Sequence, residues 1–302
     1  MARWDPSTID EADFLPEPFR TADQAALLGQ RQALRWYRGL ILMLVLAAAM
    51  GVVATGKGPA PLVSLAAFLV GCFFWSRLRA ANPQAHWYQA RAAAESVKTL
   101  AWAYAVRARP FAGPAESLEV DEDYRALVSQ LLVTFGDYGV FPPQAAPEIT
   151  EGMRRLRAES LVTRRTFYLR LRVEQQRTWY LARAQAYESQ SVTWELATGV
   201  LMIVGAAGAV AQATGVLSVS VFAACAAAAA AVIAWTELMQ LRPLVLGYQL
   251  AARELDLVWG RLSTLELGAR DAEAEWARLA GDVESAVARE HTGWRSRRAF
   301  PR

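Results

Sequence analysis

Cysteine and histidine are nearly missing from this 302-residue sequence, which holds two of each. Cys72 and Cys225 fall inside long apolar stretches, where they read as small apolar side chains and not as a disulfide or a metal site. His86 and His291 lie far apart in polar stretches. No paired histidines or paired cysteines stand at the spacing a zinc ion needs. No serine or cysteine has a plausible base and orienting acid near it, so a nucleophilic catalyst is not expected. The sequence therefore offers no catalytic, cofactor or metal residues, and any ligand-binding residues stay unknown at this level.

Charge is missing in a more informative way. Residues 39–76 carry only Lys57, and residues 196–236 carry no charge at all. As helix, the second stretch runs ~62 Å, about twice a ~30 Å hydrocarbon core. One span cannot use that length, but two can. Its break is expected at Gln212-Ala213-Thr214-Gly215, and that of the first stretch at Gly56-Lys57-Gly58-Pro59-Ala60-Pro61. This predicts two helical hairpins, with spans at about 39–56, 60–76, 195–212 and 215–236. The spans hold no ionisable residue; Glu195 and Glu237 sit at their edges. Ion-coupled transporters commonly carry charge within the membrane, so this absence argues against one.

Arginine marks one side. Arg31, Arg35 and Arg38 precede the first span, and Arg77 and Arg79 follow the second. Residues 154–183, before the third span, hold nine Arg against two Glu, and Arg242 and Arg253 follow the fourth. The positive-inside rule then puts both termini and the middle segment in the cytoplasm, with the two hairpin turns outside. Trp36, Trp75, Trp194 and Trp235 fall at the cytoplasmic ends of the spans, as an aromatic belt would. The first twenty residues hold Asp5, Asp10, Glu11, Asp13 and Glu17 and no apolar core, unlike a signal peptide. With 54% hydrophobic residues and a net charge of +3, the chain is expected to meet a lipid bilayer and not nucleic acid. The arginine-rich segment 154–183 reads either as a solvated face near anionic headgroups or as a site for an anionic ligand.

The outer parts are expected to be long helices. Trp75, Pro83, Tyr88, Gln89 and Ala92 reappear 160 residues later as Trp235, Pro243, Tyr248, Gln249 and Ala252. A second echo pairs Trp87-Tyr88 with Trp179-Tyr180. This suggests a duplicated unit of approach helix, hairpin and exit helix. The second exit helix carries a coiled-coil-like heptad seam, Ala251, Leu255, Val258, Leu262, Leu265, Ala269, Ala272, Trp276, Leu279, Val283 and Ala286, weakened by Gly260, Gly268 and Gly281. The first carries Trp87, Ala90, Ala94, Val97, Ala101 and Tyr104. These seams can pack within one chain or, in part, between subunits. The predicted organisation is a tail at 1–20, a first two-span unit at 21–140, a proline-rich linker at 141–148, a second two-span unit at 149–290 and a basic tail at 291–302. The fold class is thus an all-α membrane protein of two tandem helical hairpins, four transmembrane helices in all, with long cytoplasmic helices forming a bundle.

Two features are tempting. Residues 51–57 match the start of a phosphate-binding loop, but Gly58 stands where a magnesium-binding hydroxyl is required and the context is a span, not a strand–loop–helix. Gly199, Gly205 and Gly208, and the alanine run within 223–231, allow close helix approach in lipid. That closeness can serve an assembly interface, a pore wall or packing within the hairpin.

Aromatic and charged residues at helical spacing carry a family resemblance. His86-Trp87-Tyr88-x-x-Arg91-Ala92-x-Ala94-Glu95-x-x-Lys98 with Trp102 resembles one subtype of the SLATT family. Tyr168-x-x-x-Arg172-x-x-x-Gln176-x-x-Trp179-Tyr180 resembles another. The resemblance covers about residues 20–290, as two tandem units of different subtype. It implies a non-enzymatic inner-membrane effector of a bacterial conflict or antiviral defence system. Such an effector would form an oligomer and open a pore on a cytoplasmic signal, supplied by a nucleotide-generating or nucleotide-sensing partner. A membrane scaffold or sensor subunit, or a small ion or solute channel, are the alternatives.

Overall fold

The computed structural model describes residues 11–53, 58–136, 138–142 and 144–298, except for the side chains of 12, 13 and 286–298. Among these residues every regular element is helical. The order is α1 (Glu11–Phe14), α2 (Glu17–Val53), α3 (Ala60–Ala81), α4 (Pro83–Ala105), α5 (Leu118–Gly136), α6 (Glu151–Ala158), α7 (Leu161–Tyr168), a π-helical segment (Leu169–Glu174), α8 (Gln175–Ala213), α9 (Val221–Met239), α10 (Leu241–Ser263) and α11 (Ala272–Arg298).

Two compact units share the chain. The first gathers residues 1–30, 84–178 and 252–302; the second gathers 31–83 and 179–251. The second unit thus holds both apolar stretches. Segments within Glu17–Val53, Ala60–Ala105, Leu161–Ala213 and Val221–Ser263 are long and apolar enough to cross a bilayer. Their surfaces are apolar and open: Leu62, Phe68, Phe73, Val200, Ile203 and Phe222 are each at least half exposed. A soluble protein rarely leaves so much apolar surface bare, whereas lipid covers it.

The hairpins close through small residues and local caps. Ala47 and Ala67 are buried, and the Ser64 hydroxyl donates to the Ala47 carbonyl at 2.7 Å. In the second hairpin a Cβ on Gly208 would lie 2.8 Å from Cβ of Val221, so only glycine permits this approach of α8 to α9. Gly205 lies similarly near Cys225. These two glycines therefore serve packing within the hairpin. Helix α8 ends at the expected break: Gly215 takes φ +76°, and Val216 N–H donates to Ala211 C=O at 2.9 Å. That is the backward bond of a Schellman cap, whose left-handed residue favours glycine. The fourth span begins later than expected, because 214–220 form the turn and Ser220 caps α9 by accepting from Ala223 N–H. The lysine of the first turn, Lys57, and residues 54–56 lie outside the described residues, as do 1–10 and 299–302.

The internal repeat has a backbone counterpart. Each hairpin leaves its second span through a left-handed non-glycine residue, Asn82 at φ 37° and Gln240 at φ 49°. An exit helix starts on the next residue in both cases. Cation–π contacts ring the second unit: Arg77 lies over Trp36 (5.3 Å), Arg79 over Trp75 (5.7 Å) and Arg38 over Trp235 (5.5 Å). Three of the four tryptophans read as an aromatic belt thus hold arginines that flank the first hairpin, and the Arg38–Trp235 pair reaches from the first hairpin to the second.

In the first unit, the small-residue seam of α4 is buried. Ala90, Ala94, Val97 and Ala101 are fully covered, with Ala22, Ala26, Phe135 and Phe141 completing the cluster around the first three. The second seam is not one helix. Residues 264–271 interrupt it between α10 and α11. The Ser263 and Thr264 hydroxyls both bond back to the Gly260 carbonyl, competing with the backbone ladder. Arg165 Nη1 donates to the freed carbonyls of Ser263 and Leu265.

Candidate functional site

The polar chemistry of the first unit concentrates where α4 ends. A helix leaves its last carbonyls without partners. Here buried arginines take them. Arg157 is 1% exposed and donates to the carbonyls of Tyr104 (2.8 Å), Phe111 (3.0 Å) and Pro114 (2.9 Å). Arg164 is fully buried and donates to Val106 C=O at 2.9 Å, to Glu159 C=O at 3.1 Å and to the Glu273 carboxylate at 2.5 Å. The Trp276 indole N–H donates to the same Val106 carbonyl at 2.7 Å. Positive charge also suits the negative end of a helix dipole. Burial pushes the Arg157 guanidinium down to about 10; Arg107 and Arg164 push the same way, against Tyr104 and Asp121, and it stays charged at neutral pH.

Beside it, Tyr104 donates to Asp121 at 2.5 Å, and Arg154 pairs with the same carboxylate at 2.8 Å. Burial pushes the Asp121 carboxyl up, but the Tyr104 and Arg154 hydrogen bonds outweigh it and hold it below its ordinary value. Burial, and then the Asp121 carboxylate, push the Tyr104 hydroxyl up to about 12.

A second buried set centres on Glu284 of α11. Arg172, in the π-helical segment, meets it with two bonds, Nε–Oε1 at 3.0 Å and Nη2–Oε2 at 2.8 Å; the side chains are 3% and 2% exposed. The Tyr168 hydroxyl adds a bond to Glu284 Oε1 at 2.7 Å, and Gln176 accepts from Arg172 at 2.9 Å. Burial alone lowers an arginine, but the Glu284 carboxylate holds Arg172 above its ordinary value. The Tyr168 hydroxyl is also raised, by burial and then by Glu284. The aromatic chain continues from Trp276 through Tyr168 (5.8 Å) and Trp102 (5.8 Å) to Phe14 (4.7 Å). Glu11 accepts from Trp102 Nε1 at 2.9 Å and pairs with Lys98 at 2.8 Å.

These groups bind one another. Three of the nine arginines in 154–183 point into the core, which corrects the reading of that segment as one solvated face. Their forks are engaged by protein carbonyls and carboxylates, so they do not present an open anion site. Arg154, Arg155 and Arg183 are exposed. Among the described residues no three His, Cys, Asp or Glu side chains come together to hold a metal. His291 has its side chain outside the described residues, and of the residues resembling a phosphate loop only 51–53 are described, as the end of α2. An open groove of about 600 Å³ lies between the first two spans, lined by apolar side chains such as Leu44, Leu65 and Phe68. Within a bilayer, lipid chains suit it better than a polar ligand.

Comparison with protein families gives two adjoining matches. Residues 16–165 match SMODS and SLOG-associating 2TM effector domain 3, and residues 168–294 match SMODS and SLOG-associating 2TM effector domain 1. The chain belongs to the SLATT family. It is a tandem of two SLATT domains of different subtype, each an effector domain of bacterial conflict systems with two transmembrane helices. It is accordingly a multi-pass membrane protein. Neither the curated proteins nor the solved structures gave a match.

Several residues behind the SLATT resemblance prove to be joints of the first unit, while Trp179 and Tyr180 pack on Tyr248 in the second. Arg91 bridges Asp23 (3.1 Å) and Glu95 (2.5 Å). Lys98 and Trp102 share Glu11, Tyr168 and Arg172 bond Glu284, and Gln176 holds Arg172. The packing units also cut across the tandem: α11 of the second SLATT domain contributes Trp276 and Glu284 to a core that begins with α4 of the first. Sequence reading missed Glu11, Glu284, Arg157 and Arg164. Glu284 did leave a trace, since it falls at helical spacing on the buried face Trp276, Ala277, Ala280 and Gly281.

Proposed function

We propose that this SLATT tandem is a non-enzymatic effector of the bacterial inner membrane that assembles into oligomers and permeabilises the bilayer on a cytoplasmic signal. Both termini and the polar unit lie in the cytoplasm in this reading, in keeping with the arginine–tryptophan pairs near the span ends. The observation that carries it is a contrast in closure. The polar unit gives each of its described buried charged side chains a partner within the chain, whereas the spans leave apolar, uncharged and small-residue surface open. Ala223, Ala226 and Ala230 lie exposed along α9, and Gly199 has no neighbour within 4 Å of a would-be Cβ. Small residues favour close contact between helices in lipid.

The polar unit supplies the receiving end. A signal acts only if it binds the open state better than the closed one. The domain descriptions speak of association with SMODS and SLOG proteins; we infer a separate nucleotide-signalling enzyme or sensor as the source. Induced expression in bacteria, read by a potential-sensitive dye, tests this together with dye release from liposomes holding the purified protein. Depolarisation and release that grows with protein density are expected. A steady potential with sealed vesicles at every density would overturn permeabilisation and favour a scaffold that recruits a cytoplasmic partner.

A further inference from the structure

Helix α10 has two apolar faces, and the chain covers one of them. Leu244, Ala251, Leu255 and Leu262 are at most 9% exposed. At ~100° per residue they share one side of the helix. Leu246, Leu250 and Leu257 fall on the opposite side and are 68%, 58% and 66% exposed. Gly260 continues that side, and a Cβ there would meet nothing within 4 Å. Three large apolar residues aligned this way are not the scattered single leucines of an ordinary surface.

The spacing of this bare face is specific. Positions 246, 250, 253, 257 and 260 advance in alternating steps of four and three. In heptad terms Leu246 is at d, Leu250 and Leu257 at a, Arg253 and Gly260 at d. The covered residues Leu255 and Leu262 then fall at f, directly behind the seam. The heptad read from the sequence was this covered side; the seam available to a partner is the other.

Charge and topology name the partner. In a parallel pair a g residue meets the e residue five positions on in the opposing helix. Asp256 is at g and Arg261 at e, both exposed and of opposite sign. Asp256 also pairs with Arg177 of its own chain, which leaves Arg261 as the group a second chain would add. Copies inserted the same way round in one bilayer are related by an axis along its normal. Since α10 starts two residues after α9 ends, its first turn stands at the same level in every copy. Like residues then meet like.

We propose that the Leu246–Leu250–Leu257 face of α10 is the pairing surface between copies of this chain, parallel and in register. This rests on the reading that the protein assembles in the membrane, and names where it does so. With an arginine and a glycine in its seam the pair is weak, since a polar seam residue sets register at the expense of stability. Weak pairing suits a protein that must stay apart until triggered.

The test is disulfide trapping in native membranes, on full-length protein with Cys72→Ala and Cys225→Ala. Leu257→Cys or Leu250→Cys is expected to give covalent dimers on mild oxidation, several-fold above Leu118→Cys, a residue 81% exposed on α5. Adding Arg261→Asp to Leu257→Cys should lower the yield several-fold. Yields no higher than the Leu118→Cys control would overturn the proposal. So would dimers formed only when Leu246→Cys and Leu257→Cys chains are mixed, which means antiparallel pairing. So would faster labelling of Leu257→Cys by a lipid-soluble than by a water-soluble maleimide, which means that the bilayer covers the face. Dye release is read separately: release without trapping at 250 or 257 sinks this surface alone, and trapping with sealed vesicles sinks permeabilisation alone.

Discussion

Glu284 and Arg172 lie within a few per cent of full burial, and Tyr168 completes the carboxylate's bonding. Removing one member leaves the other charged and unpaired where water cannot reach. Glu284→Ala is expected to destabilise the polar unit by about 3–5 kcal/mol, while Arg172→Met with Glu284→Leu should recover most of that. Denaturant unfolding in detergent, followed by tryptophan fluorescence, measures both. Tyr104 predicts a pH effect. Its hydroxyl titrates near 10 in an unfolded chain but is pushed up to about 12 here. A raised acid is more protonated folded than unfolded, so its contribution is full below about pH 10 and is lost as pH rises towards 12. Melting temperatures across that window should fall, and fall less in Tyr104→Phe. These joints were only half legible in the sequence. Arg172 and Tyr168 stood out by their spacing. Glu284 is 112 positions from Arg172 and looked like one more helix charge. Arg157 and Arg164 bind mainly backbone carbonyls, which no side-chain pattern announces.

Helix α11 is held by a single close approach as well as by its charges. A Cβ on Gly281 would lie 2.9 Å from Cβ of Arg109 and 3.0 Å from its carbonyl oxygen, and Arg109 N–H donates to Ala277 C=O at 2.9 Å. Backbone cannot swing away as a side-chain tip can. Gly281→Ala should therefore cost about 1–3 kcal/mol through overpacking, seen as earlier protease cleavage of the 264–271 loop. The sequence reading placed Gly281 as a weak point in a continuous seam. The opposite holds: it is a contact point, because the helix had already stopped and restarted. Heptad spacing survives such a break, so periodicity alone could not reveal it. The hairpins were easier to read. A charge-free run long enough for two spans has few alternatives, and Gly215 ends α8 as its φ freedom suggests.

For the whole molecule, two SLATT domains in tandem do not behave as two beads. The hairpins of both domains fall into one compact unit, and extramembrane helices of both fall into the other. Sequence order alone hides this, because Trp276 of α11 bonds the Val106 carbonyl just past α4, 170 positions away, and Glu284 joins the same unit through Arg172. Function at this scale rests on the hairpins crossing the bilayer with the polar unit on a single side. Cysteine accessibility decides that most directly, in intact inner-membrane spheroplasts carrying Cys72→Ala and Cys225→Ala. A membrane-impermeant maleimide should label Gly58→Cys and Ser218→Cys, one in each hairpin turn, and should label Leu118→Cys only after the membrane is opened. Labelling of Leu118→Cys in sealed spheroplasts, or protection of either turn until lysis, would contradict the topology and the effector reading built on it.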